Sequence, residues 1–188
     1  TNTTGSNNTS LGFFSSLRNT TGANNVAVGK AALQENTTGT RNTAVGTDAL
    51  ENNTEANDNT AVGFRCLEAT TTGGNNTAIG RSSLILNTTG EQNTVLGAFA
   101  GDVITTGDNN TCIGYDADAS SATVNNEITL GNSSVATLRC NVQTISSLSD
   151  ARDKTNVIDL PEGLDFISKL RPVKFEWATR DGNGKDGS

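Results

Sequence analysis

A glycine preceded by a branched aliphatic residue recurs every 17 residues along most of this chain. Asn stands four positions before each of these glycines, except the last, where Glu127 takes its place. A fixed short period of this kind is typical of a solenoid, in which each repeat forms one turn and neighbouring turns stack. The glycines in this register are Gly12, Gly29, Gly46, Gly63, Gly80, Gly97, Gly114 and Gly131.

The segment Asn42 to Gly46 shows what one repeat predicts. Its side chains alternate between two faces, which is the pattern of a short β-strand. Copies of this strand would pair in parallel about 4.8 Å apart, so that eight turns form a rod roughly 40 Å long with the glycines in one column. The connector that follows, for example residues 30–35, fits a helical turn or a second short strand, and the sequence leaves both open. The predicted fold class is all-β, a parallel β-solenoid or β-roll.

The two faces of the predicted strand differ in side-chain size. Thr43 and Val45 point one way and Ala44 points the other, and the same contrast holds in the other repeats. We expect the aliphatic face to fill a core and the small-residue face to allow close approach of another chain. Hydrophobic residues make up only 33% of the chain, which suits a thin rod with a core shared between chains. The rod is therefore predicted to be a homotrimeric fibre.

Charge and composition exclude several classes of function. The net charge is −7, and residues 1–148 hold 6 Lys and Arg against 12 Asp and Glu, without a basic stripe for nucleic acid. No apolar run approaches the length of a membrane span, so membrane insertion is not expected. Cys66, Cys112 and Cys140 have no metal-ligand spacing and are interpreted as free thiols. No cofactor and no metal ion is predicted.

The repeat pattern divides the chain into three parts. Residues 1–131 form the predicted solenoid rod, and residues 132–148 form a neck without the repeat. From residue 149 the pattern changes: Leu164, Ile167 and Leu170 fit one helix face, and residues 173–177 alternate as a strand. Residues 149–188 are therefore interpreted as the beginning of a small α+β domain.

Two families resemble parts of this sequence. The Asn-Thr-Ala-Val-Gly repeats resemble those of phage tail fibres. They are also similar to the head repeats of trimeric autotransporter adhesins, although the period of 17 here is longer than that of the adhesin head. The resemblance to the adhesin head implies a left-handed parallel β-roll that assembles as a homotrimer.

The C-terminal residues carry a more specific resemblance. The motif Ser-Asp-x-Arg-x-Lys runs from Ser149 to Lys154, and Leu-Arg-Pro-Val-x-Phe-x-Trp runs from Leu170 to Trp177. Together they resemble the start of the intramolecular chaperone, autoprocessing domain of phage tail spikes and endosialidases. In that family the domain trimerises the fibre and then cuts itself off. The resemblance implies that Ser149 is the nucleophile, Lys154 the general base and Leu148-Ser149 the cleaved bond, in a truncated copy of the domain.

Spacing alone leaves another interpretation of this motif open. Ser149 and Lys154 are five residues apart and do not share one face of a helix, so Ser149-Asp150 also fits a simple helix N-cap. If the family resemblance holds, the enzyme activity is at most a single-turnover serine-lysine endopeptidase in the full-length precursor.

The predicted function is structural. We expect a trimeric fibre segment of a phage-like virion appendage that serves host attachment through a surface receptor or glycan. The alternative is the head of a bacterial trimeric adhesin on the cell surface. A glycan-processing enzyme ranks last, because it needs paired carboxylates in a cleft and the acidic residues here are scattered over the repeat connectors.

Overall fold

The computed structural model describes residues 2–139, and within them the chain forms a parallel β-solenoid. Eight strands of three residues each pair in chain order within a single sheet. The strands are β1 (Thr9–Leu11), β2 (Val26–Val28), β3 (Thr43–Val45), β4 (Thr60–Val62), β5 (Thr77–Ile79), β6 (Thr94–Leu96), β7 (Thr111–Ile113) and β8 (Ile128–Leu130). The predicted all-β parallel solenoid is confirmed for this part of the chain.

The register of the sheet repeats the period of the sequence. Thr43 pairs with Thr60 and Val45 with Val62, and the other strand pairs keep the same offset of one repeat. The glycine after each strand stacks on its copy in the next turn. Gly46 has a φ of 139°, and a Cβ at this position would lie 2.3 Å from the carbonyl oxygen of Gly63. The predicted glycine column is confirmed, because no side chain fits between these backbones.

The connectors are neither helical turns nor second strands. They are successive tight turns in which the second and fourth residues after the glycine adopt left-handed backbone angles, such as φ 56° at Ala31 and 51° at Leu33. The Leu33 N–H donates to Ala49 O in the next turn at 3.1 Å. The left-handed conformation costs a non-glycine residue about 1 kcal/mol or more. Hydrogen bonds between turns and the burial of Leu33 override the helical preference of Ala and Leu.

The core lies inside each turn and is built from small strand residues facing connector leucines. The strand contributes its central residue, such as Ala44 and Ala61, and the connector contributes Leu50 and Leu67, all of them fully buried. The expected assignment of the two strand faces is therefore wrong. The small residues line the chain's own interior, and the threonine and aliphatic residues point outward.

The narrow cross-section of each turn explains this reversal. A connector leucine already fills most of the interior, so only a small residue fits opposite it on the strand. Where β6 brings the larger Val95 inside, the leucine position of the following connector is Gly101. A Cβ at Gly101 would lie 3.0 Å from the Leu84 side chain and 3.1 Å from Val95. The exchange keeps the interior volume nearly constant, as close packing requires.

Buried asparagines link each turn to the next. The Asn42 side chain accepts a bond from the Asn59 N–H at 3.0 Å and donates to Ala56 O at 2.8 Å. One amide thus pairs two backbone groups of the next turn, and this pattern repeats along the rod. In the last turn Glu127 replaces Asn, and its carboxylate accepts from the backbone N–H and the hydroxyl of Ser120.

The described chain beyond the last strand has no strand of its own. Residues 132–139 follow β8 as turns and extended segments, mostly exposed. The rest of the predicted neck, residues 140–148, and the predicted C-terminal domain lie outside the described residues. Across residues 2–139 the chain contains no helix with the length and apolar character needed to cross a membrane.

Candidate functional site

The most prominent surface feature of the solenoid is a line of outward-facing aliphatic residues, one per turn. We name it the aliphatic ladder; it occupies the position before each column glycine. Leu11 is 68% exposed and Leu96 is 49% exposed, whereas the valines of the middle turns are half-buried. The ladder consists of Leu11, Val28, Val45, Val62, Ile79, Leu96, Ile113 and Leu130.

Two further outward columns flank the ladder. The column two residues before it is mostly threonine, from Thr9 to Thr111. The column two residues after it carries aromatic, basic and small residues, among them Phe64 and Arg81. None of the three columns contains an Asp or a Glu over the described turns. This face of the solenoid therefore carries aliphatic, threonine, aromatic and basic side chains and is free of acidic ones, although the chain as a whole is acidic.

Aromatic residues cluster on the connectors beside this face. Phe13 and Phe14 stack with ring centroids 3.8 Å apart. In later turns the Arg81 guanidinium lies 5.0 Å from the Phe99 ring centroid, and Phe99 meets Tyr115 edge to face at 6.0 Å. The contacts of Phe99 join residues of successive turns and hold its ring in a fixed position.

Carboxylates gather in the last turns. Asp118 takes the position that leucine occupies in earlier connectors, and its carboxylate accepts from the Asp102 N–H at 3.1 Å. Burial raises the pKa of Asp118, and burial together with the nearby carboxylates raises that of Asp102. An open pocket of about 320 Å³ lies beside them, lined by Asp116, Asp118, Thr129, Gly131, Asn132 and Ser133. Within residues 2–139, no group of three or more His, Cys, Asp or Glu side chains could hold a metal ion.

The two cysteines within the described region are free and lie inside the core. Cys66 and Cys112 occupy small-residue positions, and burial raises the pKa of each thiol to about 11. Both therefore remain protonated at neutral pH, and neither is a nucleophile. Cys66 lies 3.1 Å from the Ser83 hydroxyl and from Ala78 O, which satisfies its polar atom.

The predicted catalytic residues lie outside the part of the chain that the structure describes. Leu148, Ser149 and Lys154 follow the described segment, so the cleavage site and the serine-lysine dyad stay predictions. The sequence analysis did not predict that the aliphatic ladder points outward. Each repeat pairs a small strand residue with a connector leucine, and this pairing in the sequence could have indicated it, because both residues occupy one narrow interior.

Comparison with known proteins adds one finding. Residues 149–187 match the family described as chaperone of endosialidase, which accounts for 39 of the 188 residues. Neither a curated protein nor a solved structure matches the chain. The sequence thus combines a parallel β-solenoid of 17-residue repeats with a C-terminal segment that matches the chaperone of endosialidase.

Proposed function

We propose that this chain is a segment of a homotrimeric fibre on a phage-like virion appendage, a tail fibre or tail spike, that serves attachment to a host. The observation that carries the proposal is the order of its parts: a regular β-solenoid followed at residue 149 by the match to the chaperone of endosialidase. A chaperone at the C-terminus of a repetitive rod fits a chain that must be aligned with other copies before it folds. The rod is the lasting structural part, and the chaperone acts during assembly.

We further propose that the chaperone releases itself by cutting the Leu148-Ser149 bond. The Ser149 hydroxyl attacks the Leu148 carbonyl carbon, and Lys154 accepts the hydroxyl proton. The peptide C–N bond breaks as an ester forms between Leu148 and the serine oxygen, and the serine nitrogen takes the proton from Lys154 and becomes a free amine. Water then hydrolyses the ester, which leaves Leu148 as the new C-terminus.

The chemistry requires a neutral lysine. Lys154 becomes a base only if burial lowers the pKa of its amine, because a lysine in water is protonated at neutral pH. Asp150 and Asp153 are close in sequence and would keep the amine charged unless they point away from it. We therefore expect cleavage to depend on assembly, which would bury the dyad between packed chains.

Three variants of the full-length precursor test this function on denaturing gels. Wild type should yield a rod chain that ends at Leu148. Ser149→Ala and Lys154→Ala should each remain uncut while still assembling. Lys154→Arg should not restore cleavage, because arginine does not lose its proton in proteins. Cleavage of Ser149→Ala at Leu148 would show that Ser149 is only a helix cap and that the dyad is wrongly assigned.

The head of a bacterial trimeric adhesin is the competing proposal, and it shares the repeats but not the chaperone. Immunogold labelling of purified particles and of host cells separates the two locations. Label on the virion appendage supports the fibre, whereas label confined to the bacterial surface supports the adhesin.

A further inference from the structure

We propose that the aliphatic ladder and the threonine column beside it form the surface on which other copies of this chain dock, side by side and pointing the same way. The proposal rests on the trimeric fibre proposed above and assigns the face that its copies share. It differs from the sequence-based expectation, which placed the contact on the small-residue face.

The aliphatic ladder does not contribute to the core of a single chain. The interior is already filled by residues such as Ala61 and Leu67, which are fully buried without any help from the ladder. Another exposed outward column, which includes Thr38, Thr72 and Thr106, shows that polar residues suffice on the solenoid surface. A contiguous line of aliphatic side chains, exposed at both ends of the rod and half-buried in the middle turns, therefore marks an interaction surface.

The spacing of the ladder favours a second copy of this chain as the partner. Successive members lie one strand apart, about 4.8 Å, over eight turns. A partner that buries all of them must offer apolar groups at the same rise over the same length. A second copy of this chain meets that condition by construction, and in a parallel arrangement each turn lies beside its own counterpart. The irregular surface of an ordinary globular protein does not keep such a spacing.

The distribution of charge also favours contact between copies on this face. Residues 1–139 hold 12 acidic against 6 basic side chains, so two copies repel each other over most of their surfaces. The ladder, the threonine column and the column after the glycine contain no acid, and the last carries Lys30 and Arg81. Copies of a negatively charged rod therefore meet with least repulsion on this face.

A cysteine in the ladder tests the face and the direction together. The background is the full-length protein with Cys66→Ala, Cys112→Ala and Cys140→Ser, into which Ile113→Cys or, as a control in the same turn, Thr106→Cys is placed. In parallel copies Ile113 lies beside its counterpart, so mild oxidation should link chains at least about tenfold faster than at position 106, because a disulfide needs Cα atoms within about 7 Å. In antiparallel copies, position 113 of one chain would lie about 24 Å from position 113 of the other. The absence of linkage at position 113 would therefore overturn the proposed arrangement.

A pair of charge variants provides the second measurement. Ile79→Glu with Leu96→Glu places charge in the ladder, and Thr72→Glu with Thr89→Glu places the same charge on another outward column of the same repeats. Light scattering should give a single chain for the ladder variant and three chains for the control, with unchanged circular dichroism for both. If both variants remain trimers and position 113 does not cross-link, this face is wrong while the trimer stands.

A different result separates this proposal from the function it rests on. If the wild type itself is a single chain, the trimeric fibre fails and the docking surface fails with it. If residues 140–188 of the same chain cover the ladder, the docking surface fails while the trimeric fibre stands, and cross-linking from Ile113→Cys to a cysteine introduced into that segment would reveal this.

Discussion

At the scale of single residues, the solenoid is held together by amides that pair buried backbone groups. Asn59 is fully buried; it accepts from the Asn76 N–H at 2.9 Å and donates to Gly73 O at 2.9 Å. Both backbone groups belong to buried residues, so the Asn59 side chain makes the hydrogen bonds that water would otherwise make. Such a residue is more costly to lose than its size suggests, because the groups it leaves behind stay buried.

We expect Asn59→Ala to lower the free energy of unfolding by about 2–6 kcal/mol, since two buried backbone groups lose their partners at about 1–3 kcal/mol each. Asn52→Ala, an exposed asparagine of the preceding connector, is the control and should change it by less than about 0.5 kcal/mol. Chemical denaturation of both variants measures the difference. Equal effects would mean that the buried amides are not what joins the turns.

A second asparagine column inside the connectors is interrupted, and the interruption leaves atoms unpaired. Asn53 donates to the Asn36 side-chain oxygen at 2.7 Å, but its own side-chain oxygen has no partner. The next turn has Thr70 in this position, and its hydroxyl donates to Asn87 O instead.

Thr70→Asn should therefore stabilise the protein by about 1 kcal/mol, the typical value of a hydrogen bond restored to a buried acceptor. The new amide would donate to the Asn53 oxygen and continue the column. Thr70→Val, which only removes the hydroxyl, should destabilise it. A lower melting temperature for Thr70→Asn than for wild type would show that the column does not tolerate an amide in this turn.

Asp102 is a residue whose charge works against the fold. Its raised folded-state pKa means that the folded chain holds this proton more tightly than the unfolded chain does. The ionised form therefore destabilises the fold at neutral pH, and the penalty is relieved as the pH falls through the raised value. Asp102→Asn should stabilise at pH 7 by on the order of 0.5 kcal/mol.

The advantage of Asp102→Asn should shrink as the pH falls through the raised pKa of Asp102, because the wild-type carboxylate then becomes neutral. Thermal unfolding of both proteins across this range measures it. The exposed Glu55→Gln serves as a control for the loss of one negative charge and should have the smaller effect at pH 7. A constant difference between Asp102→Asn and wild type at all pH values would contradict the electrostatic explanation.

At the scale of the repeat element, the column glycine sets the distance between turns. Gly80 has a φ of 144°, and a Cβ there would lie 2.3 Å from Gly97 O and 2.5 Å from its carbonyl carbon. Gly80→Ala combines backbone strain with a clash against main chain that cannot move without separating two turns. We expect a loss of about 3 kcal/mol or more, beyond the usual range for strain alone.

The matched control for this substitution is Gly74→Ala. Gly74 lies in a column that other repeats fill with Ala23 or Thr40, and its backbone angle is not left-handed. A Cβ there would lie 2.9 Å from Asn57 O, and its next neighbour is 3.7 Å away. Denaturant midpoints should separate the two variants clearly, and similar midpoints would contradict the role given to the column.

The sequence predicts the strands and the glycine column because a fixed period records the stacking of identical turns. It could not decide the connector, where left-handed residues such as Leu33 depend on hydrogen bonds between turns rather than on local preference. It also placed the strand faces the wrong way round, because alternation gives two faces but does not say which is inside. Ala44 is inside because Leu50 already occupies the space opposite. Ser149 and Lys154 are predicted by family resemblance alone.

At the scale of the whole molecule, the proposed fibre is a rod whose copies join along the aliphatic ladder after the chaperone has aligned them. Removal of the chaperone would leave the docked chains with no easy route back to the unfolded state. The stability of the finished fibre would then be kinetic, set by the barrier to unfolding.

Native mass spectrometry of the protein expressed as its full-length precursor tests directly whether the chain forms a trimeric fibre that releases its chaperone. For wild type, we expect one assembly of three chains that each end at Leu148. For Ser149→Ala, we expect three uncut chains. A wild-type mass that corresponds to a single chain, cut or uncut, would contradict the trimeric fibre.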